Sequence, residues 1–164
     1  MKIREAKIED AAQVIDVMKD AEASGFMLFS PGERKMAPEQ MGKLIEMLQS
    51  KAKSAIFVSQ HEDRVVGYFI IQGDQPSRIS HRAYIVIGIH SNYRGKGIGK
   101  ALFLHAEEWA REQGIHRLEL TVIKHNEAAF NLYKKMGYEV EGTKRDSLLV
   151  DGKYVDEYYM AKLI

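Results

Sequence analysis

Apolar residues recur along the chain at two spacings, and each change of spacing marks a new element. Lys2–Lys7 alternates as a strand does. From Ile8 to Ala23 the apolar positions are Ile8, Ala11, Ala12, Ile15, Met18 and Ala21, which share one face of a helix. Ser24–Pro38 loses both periods and holds Gly25, Pro31, Gly32 and Pro38, so it reads as a long irregular segment. Helical spacing returns from Pro38 to about Lys53, and proline suits a first helical turn. Ala55–Gln60 and Arg64–Gln72 are β-branched and aromatic, and read as strands around a turn at His61–Asp63.

The second half repeats the alternation. Asp74–Ser77 is a loop and Arg82–His90 a strand. Gly97–Gln113 places Ile98, Leu102, Ala106, Trp109 and Ala110 on one helical face, and Gly114 stops it. His116–Ile123 is a strand. Asn126–Met136 is a helix with Asn126 as N-cap and Gly137 as its stop. Tyr138–Lys144 and Lys153–Lys162 close the chain as strands, with a turn at Asp151-Gly152. This order predicts an α+β domain, residues 1–164, with a mixed sheet and helices on both faces.

Composition narrows the chemistry. Lys and Arg number 24 against 23 Asp and Glu, which argues against a nucleic-acid binder. There are no cysteines, which removes disulfides, thiolate metal sites and a cysteine nucleophile. The six histidines form no metal-binding spacing, so no metal is expected. The N-terminus carries no apolar secretory core, and no stretch is long enough to span a membrane. The expected compartment is the cytoplasm.

Residues 91–102, SNYRGKGIGKAL, sit between a strand and a helix. Free N–H groups at a helix start attract anions, and glycines let the backbone approach a phosphate closely. Two familiar phosphate loops fail on spacing. A P-loop requires glycine at position 94 or 90, where Arg94 and His90 stand, and a dinucleotide fingerprint requires it at 100 or 102, where Lys100 and Leu102 stand.

Arg94-x-x-Gly97-x-Gly99 does resemble the acetyl-CoA signature of the GNAT N-acetyltransferases. Downstream, Asn126-Glu-Ala-Ala-Phe-Asn-Leu-Tyr133-Lys-Lys-Met-Gly137-Tyr138 is similar to that family's NxxAxxLYxKxGF helix. The element order matches over nearly the whole chain. The tail, EGTKRDSLLVDGKYVDEYYMAKL, resembles the subset acting on small amines, amino acids or protein N-termini.

The resemblance implies a central twisted mixed sheet of about seven strands. Two parallel strands, Arg82–His90 and Arg117–Ile123, would splay apart, with a bulge at Gly88. The pantetheine arm of acetyl-CoA would lie in the gap beside Ile87 and Ile89. Arg94, Gly95, Lys96, Gly97, Ile98, Gly99 and Lys100 would hold the pyrophosphate, and Asn126 and Ala129 would add contacts. Tyr133 would protonate the departing CoA thiolate; it lies seven residues from Asn126, about two helical turns, and so on the same face. A backbone N–H on the Arg82–His90 strand would hold the oxyanion.

Many relatives carry a carboxylate base near the position of Tyr84. Here the candidates are Glu119, His81 or a chain of waters. Phe29, Glu33 and Arg34 of the irregular segment, with Tyr84, are candidate acceptor contacts, and Phe26–Phe29 read as an apolar wall or a loop anchor. The expected activity is direct acetyl transfer from acetyl-CoA to the primary amine of a small molecule. A protein N-terminus as acceptor, or a non-catalytic acyl-CoA sensor, are the alternatives. Homodimers are common in that family, and the sequence leaves the oligomeric state open.

Overall fold

The computed structural model describes residues 1–164. The elements follow the order β1 (Lys2–Glu5), α1 (Ala11–Glu22), α2 (Pro38–Ser50), β2 (Ala55–His61), β3 (Arg64–Gly73), β4 (Arg82–Ile89), α3 (Ile98–Glu112), β5 (Arg117–Ile123), α4 (Glu127–Lys135), β6 (Glu139–Val150) and β7 (Lys153–Leu163). All strands join one seven-stranded sheet in the order β1-β2-β3-β4-β5-β7-β6. Every neighbouring pair is antiparallel except β4 and β5. The mixed α/β class expected from the residue pattern is therefore observed.

The apolar stripes of the helices cover the two faces. On one face Val14, Ile15 and Met18 of α1 and Met41 and Ile45 of α2 bury Ile56, Val58, Tyr68 and Ile70. On the other, Leu102, Phe103, Ala106 and Ala110 of α3 pack on Phe57, Phe69, Ile71, Ile85 and Leu118, and α4 adds Leu132 and Tyr133. The Phe69 and Phe103 rings meet edge to face at 5.0 Å, a contact of about 1 kcal/mol beyond simple burial. No helix is long and apolar enough to cross a membrane.

Two element boundaries differ from the sequence pattern. The first turn before α1 is a short 3-10 helix, Ile8–Asp10, because the Asp10 carboxylate is drawn onto the Lys7 N–H and the Arg4 guanidinium. β6 runs on to Val150 rather than ending at Lys144. Its pairing with β7 breaks between Lys144 and Leu148, and the polar residues there conceal the strand.

Burial pushes the pKa values of Tyr68, Tyr133 and Tyr138 above the ordinary tyrosine range. A phenol raised in the folded state favours folding fully below its unfolded value, about 10, and loses that contribution as pH rises further. Thermal melting therefore drops steeply above about pH 10, together with the rise of phenolate absorbance. A melting temperature flat from pH 9 to 11 would show that these phenols ionise freely.

Candidate functional site

The sheet opens at one place. β4 and β5 pair only at Arg82 with Arg117, Ala83 with Leu118, and Tyr84 with Glu119. Beyond Tyr84, β4 stays on β3 as far as Ile89, while β5 stays on β7 as far as Ile123. A wedge-shaped gap is left between them. The His90 N–H donates to Val66 of β3, while the His81 carbonyl accepts from the β5 side. Backbone groups alternate along a strand, so those of Ile85, Ile87 and Ile89 point into the gap.

At the wide end of the gap the chain enters α3. No protein acceptor takes the N–H of any residue from Gly95 to Lys100, and the first helical bond runs from Ala101 to Gly97. The glycines serve two purposes. Gly95 and Gly97 have φ of 72° and 80°, the left-handed region that side chains avoid. Gly99 lies against α4, where a Cβ would approach Leu132 Cδ2 to 2.9 Å. The result is a run of free donors at the positive end of a helix.

Loop and gap share a cavity of about 690 Å³. Ile87, Gly88 and Ile89 form one wall, the 94–100 loop the floor, and Asn126, Ala129, Leu132 and Tyr133 the opposite wall. Phe26 and Met27 close it from above. Asn126 caps α4 through its Oδ1 and the Ala129 N–H at 3.3 Å.

Asp20 of α1 fixes the loop from outside. Its carboxylate accepts from the Ser91 N–H at 2.6 Å and the Ser91 hydroxyl at 2.8 Å. His90 Nε2 and Arg94 Nη2 stand 3.6 and 3.9 Å away. Burial alone would raise the Asp20 carboxyl, but these partners outweigh it and the net shift is downward. Asp20→Asn removes a charge-assisted bond of about 1.5 kcal/mol. CoA binding is then expected to weaken about tenfold by calorimetry; an unchanged affinity would show that the loop holds its shape without Asp20.

Tyr133 reaches the gap from α4. Its ring packs edge-on to Phe103 at 5.8 Å, and its hydroxyl has no protein partner. At the closed end of the gap the Tyr84 hydroxyl meets Thr121 Oγ1 at 2.9 Å. From β3, the Tyr68 ring lies over Gly88, where a Cβ would approach Cε1 to 2.4 Å.

The acetyltransferase (GNAT) family model matches residues 14–138. This chain belongs to the GNAT family. It is 39% identical over 103 residues to the L-amino acid N-acetyltransferase AaaT of Escherichia coli, a match covering 60% of this chain and 62% of that protein. The chain thus spans about three-fifths of that relative's length. A GNAT-family acetyltransferase from Streptococcus pneumoniae superposes with a TM-score of 0.92 at 31% identity, over 99% of this chain and 98% of that one. A ribosomal-protein-alanine N-acetyltransferase from Brucella melitensis gives 0.89 at 26% identity, over the whole of both chains.

Within this GNAT fold, most of the expected cofactor residues line one cavity. Lys96 does not: its Nζ lies 5.1 Å over the Tyr93 ring. Gly88 is no bulge, since β3 and β4 pair in unbroken register through it. It is glycine because the Tyr68 ring occupies the place of its side chain. Glu119, His81 and Tyr84 lie outside the cavity lining. Arg117 Nε holds the Glu119 carboxylate at 2.8 Å and Arg82 Nε stands 3.8 Å away. His81 precedes β4 at the closed end of the gap, its carbonyl bound by His116 and Arg117.

The irregular segment divides likewise. Phe26 and Met27 line the cavity, whereas Leu28 is exposed. Glu33 turns back to cap its own loop, accepting the Ser30 N–H at 2.7 Å. Phe29, Glu33 and Arg34 border a separate shallow recess. Lys135 lines the cavity without having been expected to; Tyr68 stands behind Gly88 and Thr121 on the Tyr84 hydroxyl, outside the lining, placed there by strand pairing that no local pattern encodes.

Proposed function

We propose that this chain is an acetyl-CoA-dependent N-acetyltransferase acting on the primary amine of a small molecule. The observation that carries this reading is the continuity of one cavity from the free N–H groups of Gly95–Lys100 to the unpartnered hydroxyl of Tyr133. Acetyl-CoA fits its donors: an anion for the loop, amides for the outward backbone of Ile87 and Ile89, and a sulfur for Tyr133. When bound, it supplies an acyl group activated as a thioester.

The chain's own residues then have separate tasks. Gly95–Lys100 bind pyrophosphate oxygens, with Lys100 adding charge. Ile87 and Ile89 orient the pantetheine arm, and a gap-facing N–H on the same strand holds developing negative charge on the acetyl oxygen. Tyr133 keeps a proton on Oη where the thiolate departs. No carboxylate lines the cavity, and Glu119 is already held by guanidinium groups. This supports removal of the amine proton through a chain of waters rather than by Glu119. The reading includes a homodimer, supported by the exposed Leu149 and Tyr154 on the terminal hairpin.

A thiol-release assay with acetyl-CoA tests this, run against amino acids, polyamines, aminoglycosides and N-terminal peptides, with product mass confirmed. Free CoA above the no-acceptor background is expected from a small amine. Release only with peptides would move the acceptor to protein N-termini, a reading supported by the full-length likeness to the Brucella enzyme. CoA binding without transfer to any amine would make the chain a sensor.

A further inference from the structure

The cavity carries more positive charge than a pyrophosphate requires. Arg94, Lys100 and Lys135 line it, and no aspartate or glutamate does. The floor already offers free N–H groups at the positive end of α3. Arg94 is engaged: its Nε donates to the Ile89 carbonyl at 3.2 Å, and its Nη2 stands 3.9 Å from Asp20. Lys100 sits in the first turn of α3, beside the free donors, and serves the same pyrophosphate. Lys135 belongs to a different element, and no carboxylate of the chain pairs with it.

Its position follows from the geometry of α4. Ala128, Leu132 and Lys135 fall within about 60° of one another around the helix, whereas Tyr133 projects about 160° from Lys135. All three residues of that face line the cavity. Leu132 is the residue that Gly99 meets, since a Cβ on the glycine would approach Leu132 Cδ2 to 2.9 Å. Lys135 therefore stands about one turn along α4 from the contact with the start of α3, on the side away from Tyr133. Lys134 shares the last turn of α4 but does not line the cavity. Both lysines complement the negative end of the helix, so that role does not distinguish them; the cavity does.

A ligand whose pyrophosphate occupies the floor and whose sulfur reaches Tyr133 leaves Lys135 for what lies beyond the pyrophosphate. In CoA that part is an adenosine with a phosphomonoester on the ribose 3′ oxygen, which carries about 1.5 to 2 negative charges at neutral pH. An ammonium, a compact point charge with three donors, suits such a group. We infer that Lys135 binds the 3′-phosphomonoester of CoA, so that the site selects CoA over its 3′-dephospho form. This rests on the acetyltransferase reading and adds a cofactor-binding residue to it.

Calorimetric titration with CoA and with 3′-dephospho-CoA, at low ionic strength, tests this without any acceptor. The wild type is expected to bind CoA about 30-fold more tightly than the dephospho form. Lys135→Met should bring that ratio to within about threefold of unity by weakening CoA alone. Lys135→Arg should retain the preference. Lys134→Met removes the same charge from the same helix end and should leave both affinities unchanged. Lys100→Gln should weaken the two ligands alike. Lys135 is exposed, so its variants should melt close to the wild type. Equal binding of both ligands by the wild type would overturn the inference and leave the acetyltransferase reading intact. So would a Lys135→Met variant that weakens both ligands equally, or a Lys134→Met variant that lowers the ratio as far. Binding of neither ligand by the wild type would remove the acetyltransferase reading, and the inference with it.

Discussion

Tyr133→Phe is expected to lower the rate of acetyl transfer about 100-fold while CoA affinity stays within a few-fold. The substitution removes one oxygen. The ring contacts with Phe103 and Tyr138 remain, so the helix and its packing should be retained. What is lost is a proton donor with no competing partner in the protein. Burial pushes the phenol above its ordinary range, with Tyr84 adding to the shift. Tyr133 therefore stays protonated through neutral and mildly alkaline pH and is ready to donate throughout. The rise of kcat/KM with pH should then follow deprotonation of the acceptor amine, and that limb should be unchanged in shape in the variant. Stopped-flow release of CoA checks the rate, and calorimetry checks the affinity. Equal rates for wild type and variant would leave the thiolate to be protonated by solvent.

The parts of this site written in local spacing were legible in the sequence. Gly95, Gly97 and Gly99 act within one turn, and Asn126 to Tyr133 within one helix. Such residues keep their relation wherever the element is placed. Residues brought together by register were not legible. Tyr68 meets Gly88 only because β3 and β4 pair there, and Tyr84 meets Thr121 only where β4 and β5 part. Glu22 reads as the polar end of an apolar helix until the loop returns Arg34 to it. Gly88 shows the difference most clearly. A glycine in a strand signals a bulge or a close approach, and only the unbroken β3–β4 register and the Tyr68 ring decide between them.

That close approach makes Gly88→Ala a damaging substitution in the sheet. The new Cβ would lie 2.4 Å from Tyr68 Cε1, 2.6 Å from Cζ and 2.7 Å from the hydroxyl oxygen. All three are closer than van der Waals contact permits. β4 cannot retreat, since its backbone is paired to β3 on both sides of the residue. The Tyr68 ring must move instead, and it is packed among α1 and α2 side chains. Overpacking of this kind costs about 2 kcal/mol, or a melting-temperature drop of about 4–8 °C for a domain of this size. Gly88 also lines the cavity, so a shift of β4 at this point should weaken acetyl-CoA binding as well as stability. Tyr68→Leu removes the colliding atoms, at the cost of a cavity of its own. If the collision is the cause, the double variant is more stable than the sum of the two single losses by at least about 1 kcal/mol. Strict additivity would mean that alanine is resisted by the backbone of β4, and that the ring over Gly88 is a bystander.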